Sequence, residues 1–326
     1  MFAARGIAVS FSIFFIFYSL LSLAVCLVWR RVSLYGQRFS ARRCGDLLFA
    51  LRMAPLAAAT GVTLIFAVPS FLLLEPRAVE ESVGILAAVL GCGGMAVMLA
   101  GAWNAVSALV RAGRTVALWS SEARVMDCGA VECGAANSRQ SVAVMRTSAV
   151  APPLTAAGIL RPRVWLSGAA EFVLTERELR CALRHEVVHV RRRDNLRKLF
   201  LRMVAFPGMA QLESEWREAA EMAADDAAVS NASEALDLAA AVIKLSRLAP
   251  LQISPELTTG LVHSPAESVN ARVERLIGWT EARQSRASRY SLAYAMCGML
   301  SVASALAFTY SGMLVRVHAA TEWLVR

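Results

Sequence analysis

Two histidines and a glutamate lie close together in the stretch LRHEVVHVRRRD, residues 183–194. Positions i and i+4 of a helix share a face, so His185 and His189 can direct their imidazoles at the same ion. Glu186, next to the first histidine, can take a proton from water at that ion's open position and pass it to a leaving amine. The spacing therefore predicts a hydrolytic site with Zn²⁺ as cofactor. The plainer alternative is two surface histidines beside a solvated glutamate.

A third ligand must come from elsewhere, because the next histidine, His263, is remote and falls in a predicted loop. The later stretch QLESEWREAAEMAADDAAV offers four glutamates: Glu213, Glu215, Glu218 and Glu221. Asp225 follows Glu221 by one turn, where its carboxylate can accept the proton on the far nitrogen of a ligand histidine and orient that ring. Glu218 has Met222 at the same spacing, so we favour Glu221 and keep Glu218 as the alternative.

Two antiparallel helices are predicted to carry these side chains. Thr175 with Glu178 three residues later forms a capping-box pattern, so one helix begins there. Pro207-Gly208 ends that helical stretch, and a second helix begins near Gln211. Upstream, SVAVM and RVWLS have the alternating β-branched pattern of short strands, and APPLTAAGILRP between them is predicted to be a loop.

The remaining sequence is apolar enough for a lipid bilayer. Its mean hydropathy is +0.50, 57% of its residues are hydrophobic, and a membrane-spanning helix needs about 20 apolar residues. Four segments meet this requirement, at about residues 7–29, 54–74, 83–110 and 291–315. We predict a membrane α-helical fold with an inserted α+β zincin-like (gluzincin) domain. Residues 1–110 would hold three transmembrane helices, 111–289 the metallopeptidase domain, and 290–326 a fourth transmembrane helix with a short extracytoplasmic tail.

Arginine placement predicts the orientation of these spans. The loop between the first two spans holds six arginines against one aspartate, whereas the next loop, EPRAVEES, holds three glutamates and one arginine. Because positive loops face the cytoplasm, we expect the inserted domain to be cytoplasmic and both termini to lie outside a bacterial-type inner (plasma) membrane.

The net charge of +9 is carried mainly by arginines at the edges of apolar runs, which favours lipid headgroups over direct nucleic-acid binding. Arg191, Arg192 and Arg193 either contact phospholipid headgroups or solvate a helix face.

Three stretches of the sequence carry a family resemblance: PPLTAAGILRPRVWLS, LRCALRHEVVHVRRRDNLRKL and REAAEMAADDAAV. They resemble the BlaR/MecR-type integral-membrane zinc metallopeptidases of metallopeptidase family 56, the antirepressor peptidases of β-lactam sensing. The likeness covers about residues 1–310. The HtpX and CAAX-prenyl-protease group is similar more distantly.

The family pattern HExxHxxxxD matches His185, Glu186, His189 and Asp194, and the later ExxxD matches Glu221 and Asp225. The resemblance implies that His185, His189 and Glu221 are the ligands. It also implies that Glu186 is the catalytic base. For Asp194 we expect an ion pair with a neighbouring arginine rather than a catalytic role.

The resemblance implies a polypeptide substrate, such as a transcriptional repressor or the peptidase itself. Sensor members carry a large extracellular penicillin-binding domain after the last span, whereas RVHAATEWLVR follows it here. We therefore expect no β-lactam-binding domain. Membrane-protein quality control is the alternative role. A non-enzymatic signalling scaffold with a structural zinc is the rival of another class, although a structural site has no use for Glu186 as a base.

Overall fold

The structure is a computed structural model. It describes residues 2–32, 40–76, 83–121, 123–125, 142–147, 152–203, 206–248, 257–261, 266–280 and 309–322. The helices are α1 Phe2–Val32, α2 Ala41–Val62, α3 Val68–Leu74, α4 Ile85–Ser120, α5 Gly168–Val173, α6 Glu176–Arg192, α7 Asp194–Met203, α8 Ala210–Ala228, α9 Ala232–Leu248 and α10 Ala266–Ile277. A π-helical turn, Thr63–Ala67, joins α2 to α3, and residues 309–322 are also helical.

Within the described residues, three helical stretches are long and apolar enough to cross a membrane: Phe2–Trp29, Ala41–Leu74 and Ile85–Ser120. They coincide with the first three predicted spans and mark the chain as a membrane protein. The second begins earlier and the third ends later than predicted, because their charged ends continue as helix outside the apolar segment. Most of the predicted fourth span, 291–315, lies outside the described residues.

Close contact between α1 and α4 depends on glycine. A Cβ atom on Gly91 would lie 2.7 Å from the carbonyl oxygen of Ala8, and one on Gly94 would overlap the carbonyl oxygen of Phe11. Ser12 Oγ donates a hydrogen bond of 2.8 Å to the carbonyl of Ala87. Small residues and interhelical hydrogen bonds are the usual means of joining helices in lipid, where the hydrophobic effect does not bring them together.

The connection between α7 and α8 packs against the membrane helices. The carbonyl of Met203 lies where a Cβ on Gly101 of α4 would be. Arg52 Nη1 on α2 contacts Met209 Sδ at 3.0 Å, and the ring of Phe206 meets Tyr18 of α1 edge-on at 5.8 Å. The segment around residues 203–209 is therefore in contact with all three spans.

The sheet has five described strands in the order β1-β2-β4-β3-β5: β1 Arg124–Val125, β2 Val144–Thr147, β3 Leu154–Ala157, β4 Arg163–Ser167 and β5 Thr258–Gly260. Strands β2 and β4 pair in parallel, and the other pairs are antiparallel. On one face, a buried cluster that includes Leu166, Leu183 and Val242 joins the sheet to α6 and α9. On the other, Trp119 at the end of α4 packs on Trp165 of β4.

The predicted loop APPLTAAGILRP is wrong in its middle, which forms the fully buried strand β3. Its proline and glycine residues lie at the strand's two ends: Pro152 and Pro153 precede it, and Gly158, with φ of +101°, follows it. Strand β3 pairs with β4, which follows it directly, and with β5, which comes about a hundred residues later. The local pattern held no sign of the pairing with β5.

The predicted capping box is confirmed at the start of α6. Glu178 Oε2 accepts a hydrogen bond of 2.8 Å from the Thr175 backbone N–H, while Thr175 Oγ1 caps the N–H of Glu178. The helical stretch predicted between Thr175 and Pro207 is divided into two helices, because Arg193 takes the left-handed conformation (φ 54°) and α7 begins at Asp194. This break turns Asp194 back toward α6.

We expect Gly94→Ala to destabilise the detergent-solubilised chain by about 1–3 kcal/mol, because the new methyl group meets backbone on α1 rather than a flexible side chain. Gly113→Ala in the same helix has open space around it and should stabilise by roughly 0.5–1 kcal/mol through helix propensity. Thermal unfolding of both variants checks this. Equal midpoints would show that α1 and α4 do not pack this closely.

Candidate metal centre

Two imidazoles and one carboxylate converge between α6 and α8. Nε2 of His185 and Nε2 of His189 are 3.1 Å apart. Glu221 completes the cluster, with Oε2 3.4 Å from the first nitrogen and Oε1 3.5 Å from the second. All three residues are buried, and one ligand atom from each lies within 4.8 Å of the others. Glu218, the alternative third ligand, is exposed and does not take part.

Helices α6 and α8 place these groups as the spacing predicted. His185 faces Asp225, whereas His189, one turn later on α6, faces Glu221, one turn earlier on α8. The helices therefore run antiparallel. Buried alanines on α8, such as Ala224 with no exposed surface, allow α6 to approach closely enough for the side chains to meet.

Carboxylates behind the rings orient both histidines. His189 Nδ1 donates to Asp194 Oδ2 at 2.7 Å, and Asp225 Oδ1 lies 3.0 Å from His185 Nδ1. Such partners hold the proton on Nδ1 and leave the lone pair on Nε2. The two Nε2 atoms then face each other as acceptors, an arrangement that a cation between them satisfies. The donor set therefore fits a divalent metal ion.

The expected ion pair of Asp194 with a neighbouring arginine is present, but a histidine lies closer. Arg192 Nε is 3.8 Å from its Oδ1, whereas His189 Nδ1 is 2.7 Å from its Oδ2. Asp194 can reach His189 because the chain turns at Arg193 and α7 starts there. Its place is thus behind the metal site, as Asp225 is for the other histidine.

Arg272 on α10, which the sequence did not indicate, supports the second helix of the site. Fully buried, it binds Asp225 through two nitrogens, at 2.6 and 2.8 Å. Its Nη1 is 3.1 Å from Glu221 Oε2 and donates to the carbonyl of Leu261. Burial alone would raise the pKa of Asp225, but this guanidinium outweighs it and lowers the pKa to about 2. Asp225 is therefore held as a carboxylate.

Glu186 is completely buried, and neither carboxylate oxygen has a hydrogen-bond partner among the described residues. Burial raises its pKa to about 7, although the neighbouring His185 and His189 oppose the shift. A carboxyl group is expensive to bury without partners, and a pKa near neutrality suits a group that both accepts and donates a proton. Glu186 thus has the properties of a general base.

Lys198 on α7 is a further group that sequence reasoning missed. Its Nζ donates a hydrogen bond of 2.6 Å to the carbonyl of Thr258 in β5. Burial lowers the pKa of Lys198, while the carboxylates of Glu221 and Asp194 counteract this shift. It adds a cation on the sheet side of the site. Its position one turn after Asp194 was visible in the sequence, but its neighbours were not.

We expect Asp194→Asn to weaken metal binding about 10- to 100-fold, because the amide no longer favours the tautomer that leaves Nε2 of His189 free. A competition titration with a chromophoric chelator measures the affinity. Asp226→Asn is the matched control, since Asp226 on α8 pairs with Arg275 instead of the ligands. Unchanged affinity in Asp194→Asn would contradict the assigned role.

A family model described as BlaR1 peptidase M56 matches residues 73–276. Among curated proteins, none matches the chain. The matched region runs from the end of α3 to the last turn of α10 and contains both metal helices, which confirms the resemblance expected from the motifs. Because the model covers more than half of the chain, this protein belongs to the BlaR1 peptidase M56 family of membrane metallopeptidases.

Proposed function

We propose that the chain is an integral-membrane zinc endopeptidase that cleaves a cytosolic polypeptide. The observation that carries the proposal is a buried, unpartnered carboxyl group, Glu186, directly beside two oriented imidazoles and a third carboxylate. A structural metal site is closed by four ligands and needs no such group. Membership of a peptidase family supports the same reaction class.

His185, His189 and Glu221 would hold the zinc. Two imidazole nitrogens and one carboxylate leave a fourth position open, as catalytic zinc sites do. All-oxygen cages suit calcium and magnesium, so the two nitrogens favour zinc. When bound, Zn²⁺ supplies Lewis acidity toward the peptide carbonyl.

The chain's own groups then move the proton. Glu186 takes it from the attacking water and delivers it to the leaving amine, which its pKa of about 7 permits in both directions. Asp194 and Asp225 hold the rings of His189 and His185 in a fixed orientation during this proton transfer. Burial of the site excludes bulk water, which strengthens each electrostatic contact.

An extended substrate would bind along a strand edge. Among the described strands, β1 and β5 lie at the two ends of the sheet. Strand β1 is exposed, whereas β5 is buried and its Thr258 carbonyl is bonded to Lys198. Pairing of backbone groups with such an edge is a common way of holding peptides.

The catalytic domain would face the cytoplasm, with both termini outside. The arginine-rich first loop supports this orientation. The ion pair of 2.7 Å between Arg5 and Glu75 puts the start of α1 and the end of α3 on the same side, as this topology requires. Cleavage of a repressor, or of the chain itself, is the regulatory role that we favour over quality control.

We expect Glu186→Gln to lower peptide cleavage about 100- to 10,000-fold while one zinc per chain is retained, because only proton transfer is lost. Metal analysis and a cleavage assay on the same preparation measure both, and pull-down with this variant should retain uncleaved substrate. Glu218→Gln, exposed on α8, is the control. A near wild-type rate in Glu186→Gln would refute the mechanism and favour the scaffold with a structural zinc.

Removal of zinc should also destabilise the chain, independently of activity. Binding to the folded state adds about 3 kcal/mol when free Zn²⁺ is roughly 100 times its Kd. Chelation should therefore lower the unfolding midpoint, and Zn²⁺ but not Mg²⁺ should restore it. The His185→Asn/His189→Asn variant should not respond to either treatment. Restoration by Mg²⁺ would instead indicate a different metal.

A further inference from the structure

A basic pocket of about 380 Å³ opens beside the metal helices, on a side that the proposed chemistry does not use. Four arginines line it: Arg42, Arg184, Arg191 and Arg192. Its floor is apolar and includes Val187 and Ala223, and none of its lining residues is acidic.

Three elements form this pocket. The first turn of α2 contributes Arg42, and α8 contributes the alanines of the floor. On α6, Arg184, Val188 and Arg191 follow one another at helical spacing, so they share a side of the helix. These three residues lie on a different side of α6 from His185 and His189. The pocket is therefore distinct from the metal site, although the same two helices build both.

The positive charge of the pocket is only partly neutralised. Arg184 donates to Glu234 at 2.9 Å. Nη2 of Arg192 has no hydrogen-bond acceptor among the described residues, since Asp46 is 3.6 Å away, although this side chain is only 12% exposed. Burial lowers the pKa of Arg192; the carboxylates of Asp194 and Asp46 oppose that shift, and the guanidiniums of Arg197 and Arg42 add to it. An anion in the pocket would relieve this crowding of like charges.

We propose that the pocket binds a phosphate group, with the carbon chain of its ester on the apolar floor. Guanidinium forks match the paired oxygens of phosphate in geometry as well as charge, and the pocket volume is that of a small-ligand site. An anionic phospholipid headgroup and a free phosphate compound share this chemistry. Bound phosphate would tie the start of α2 to both helices that carry the metal ligands.

The first measurement is the unfolding midpoint of the full chain in neutral detergent, titrated with inorganic phosphate at constant ionic strength. We expect a rise for the wild type and an apparent affinity about tenfold weaker in Arg42→Gln/Arg191→Gln. Both residues are exposed, and such exchanges alter stability by about 0.5 kcal/mol or less. The control Arg161→Gln/Arg177→Gln removes the same two charges outside the pocket and should bind as the wild type does.

The second measurement separates the two sources of phosphate. Native mass spectrometry counts phosphatidylglycerol or phosphatidylcholine molecules retained by the same variants. If the wild type retains phosphatidylglycerol and only the pocket variant loses it, the ligand is a lipid headgroup. If the protein responds to inorganic phosphate alone, the ligand is a soluble phosphate compound. As a second variant, Ala227→Glu places a carboxylate at the pocket and should abolish either response.

Three results would overturn the assignment. An equal loss in both double variants would mean that general surface charge attracts the anion. A response to an aspartate- and glutamate-rich peptide without any response to phosphate or phosphatidylglycerol would make the pocket a site for an acidic polypeptide. Absence of every response would leave the arginines as a solvated helix face.

Discussion

Orientation of two buried imidazoles by carboxylates is the constraint on which the rest of this molecule depends. His185 and His189 can present their Nε2 atoms to one ion only if Asp225 and Asp194 hold the opposite ring nitrogens. Each carboxylate is buried and needs its own compensation, which Arg272 provides for Asp225 and the ligand histidine itself provides for Asp194. The break between α6 and α7 exists at the residue where Asp194 must turn back. Secondary structure and site chemistry are therefore decided together.

The membrane helices act as a frame for this site as well as an anchor. Gly91 and Gly94 on α4 allow α1 to pack closely, and Gly101 on the same helix leaves room for the carbonyl of Met203. Contacts of the α7–α8 connection with Tyr18 and Arg52 link the metal helices to α1 and α2. Since packed helices move as discrete units, a shift between the spans would reach the helix that carries Glu221.

Ion pairing between buried side chains explains how a largely apolar chain accommodates so many ionisable groups at one site. Carboxylates Glu221 and Asp225 are matched by Arg272 and the imidazoles, and each of these contacts offsets part of the desolvation penalty. Glu186, by contrast, has no hydrogen-bond partner at either carboxylate oxygen among the described residues. A fold selected only for stability would not keep it, and the proposed proton transfer gives a reason for its burial.

Local periodicity by itself determined the metal helices, the triad of His185, His189 and Glu221, and the carboxylate at Asp225, because each relation spans one helical turn or pairs two neighbouring helices. The first three spans followed from composition for the same local reason. Only the tertiary structure decided the partner of Asp194, the strand inside the predicted loop, and the places of Arg272 and Lys198. Arg272, Lys198 and the pairing of β3 with β5 depend on contacts between segments far apart in the chain, which are set by packing and by compensation of buried charge. Asp194 is only five residues from His189, but it reaches that ring because the chain turns at Arg193. No periodic pattern records such a turn or such distant contacts.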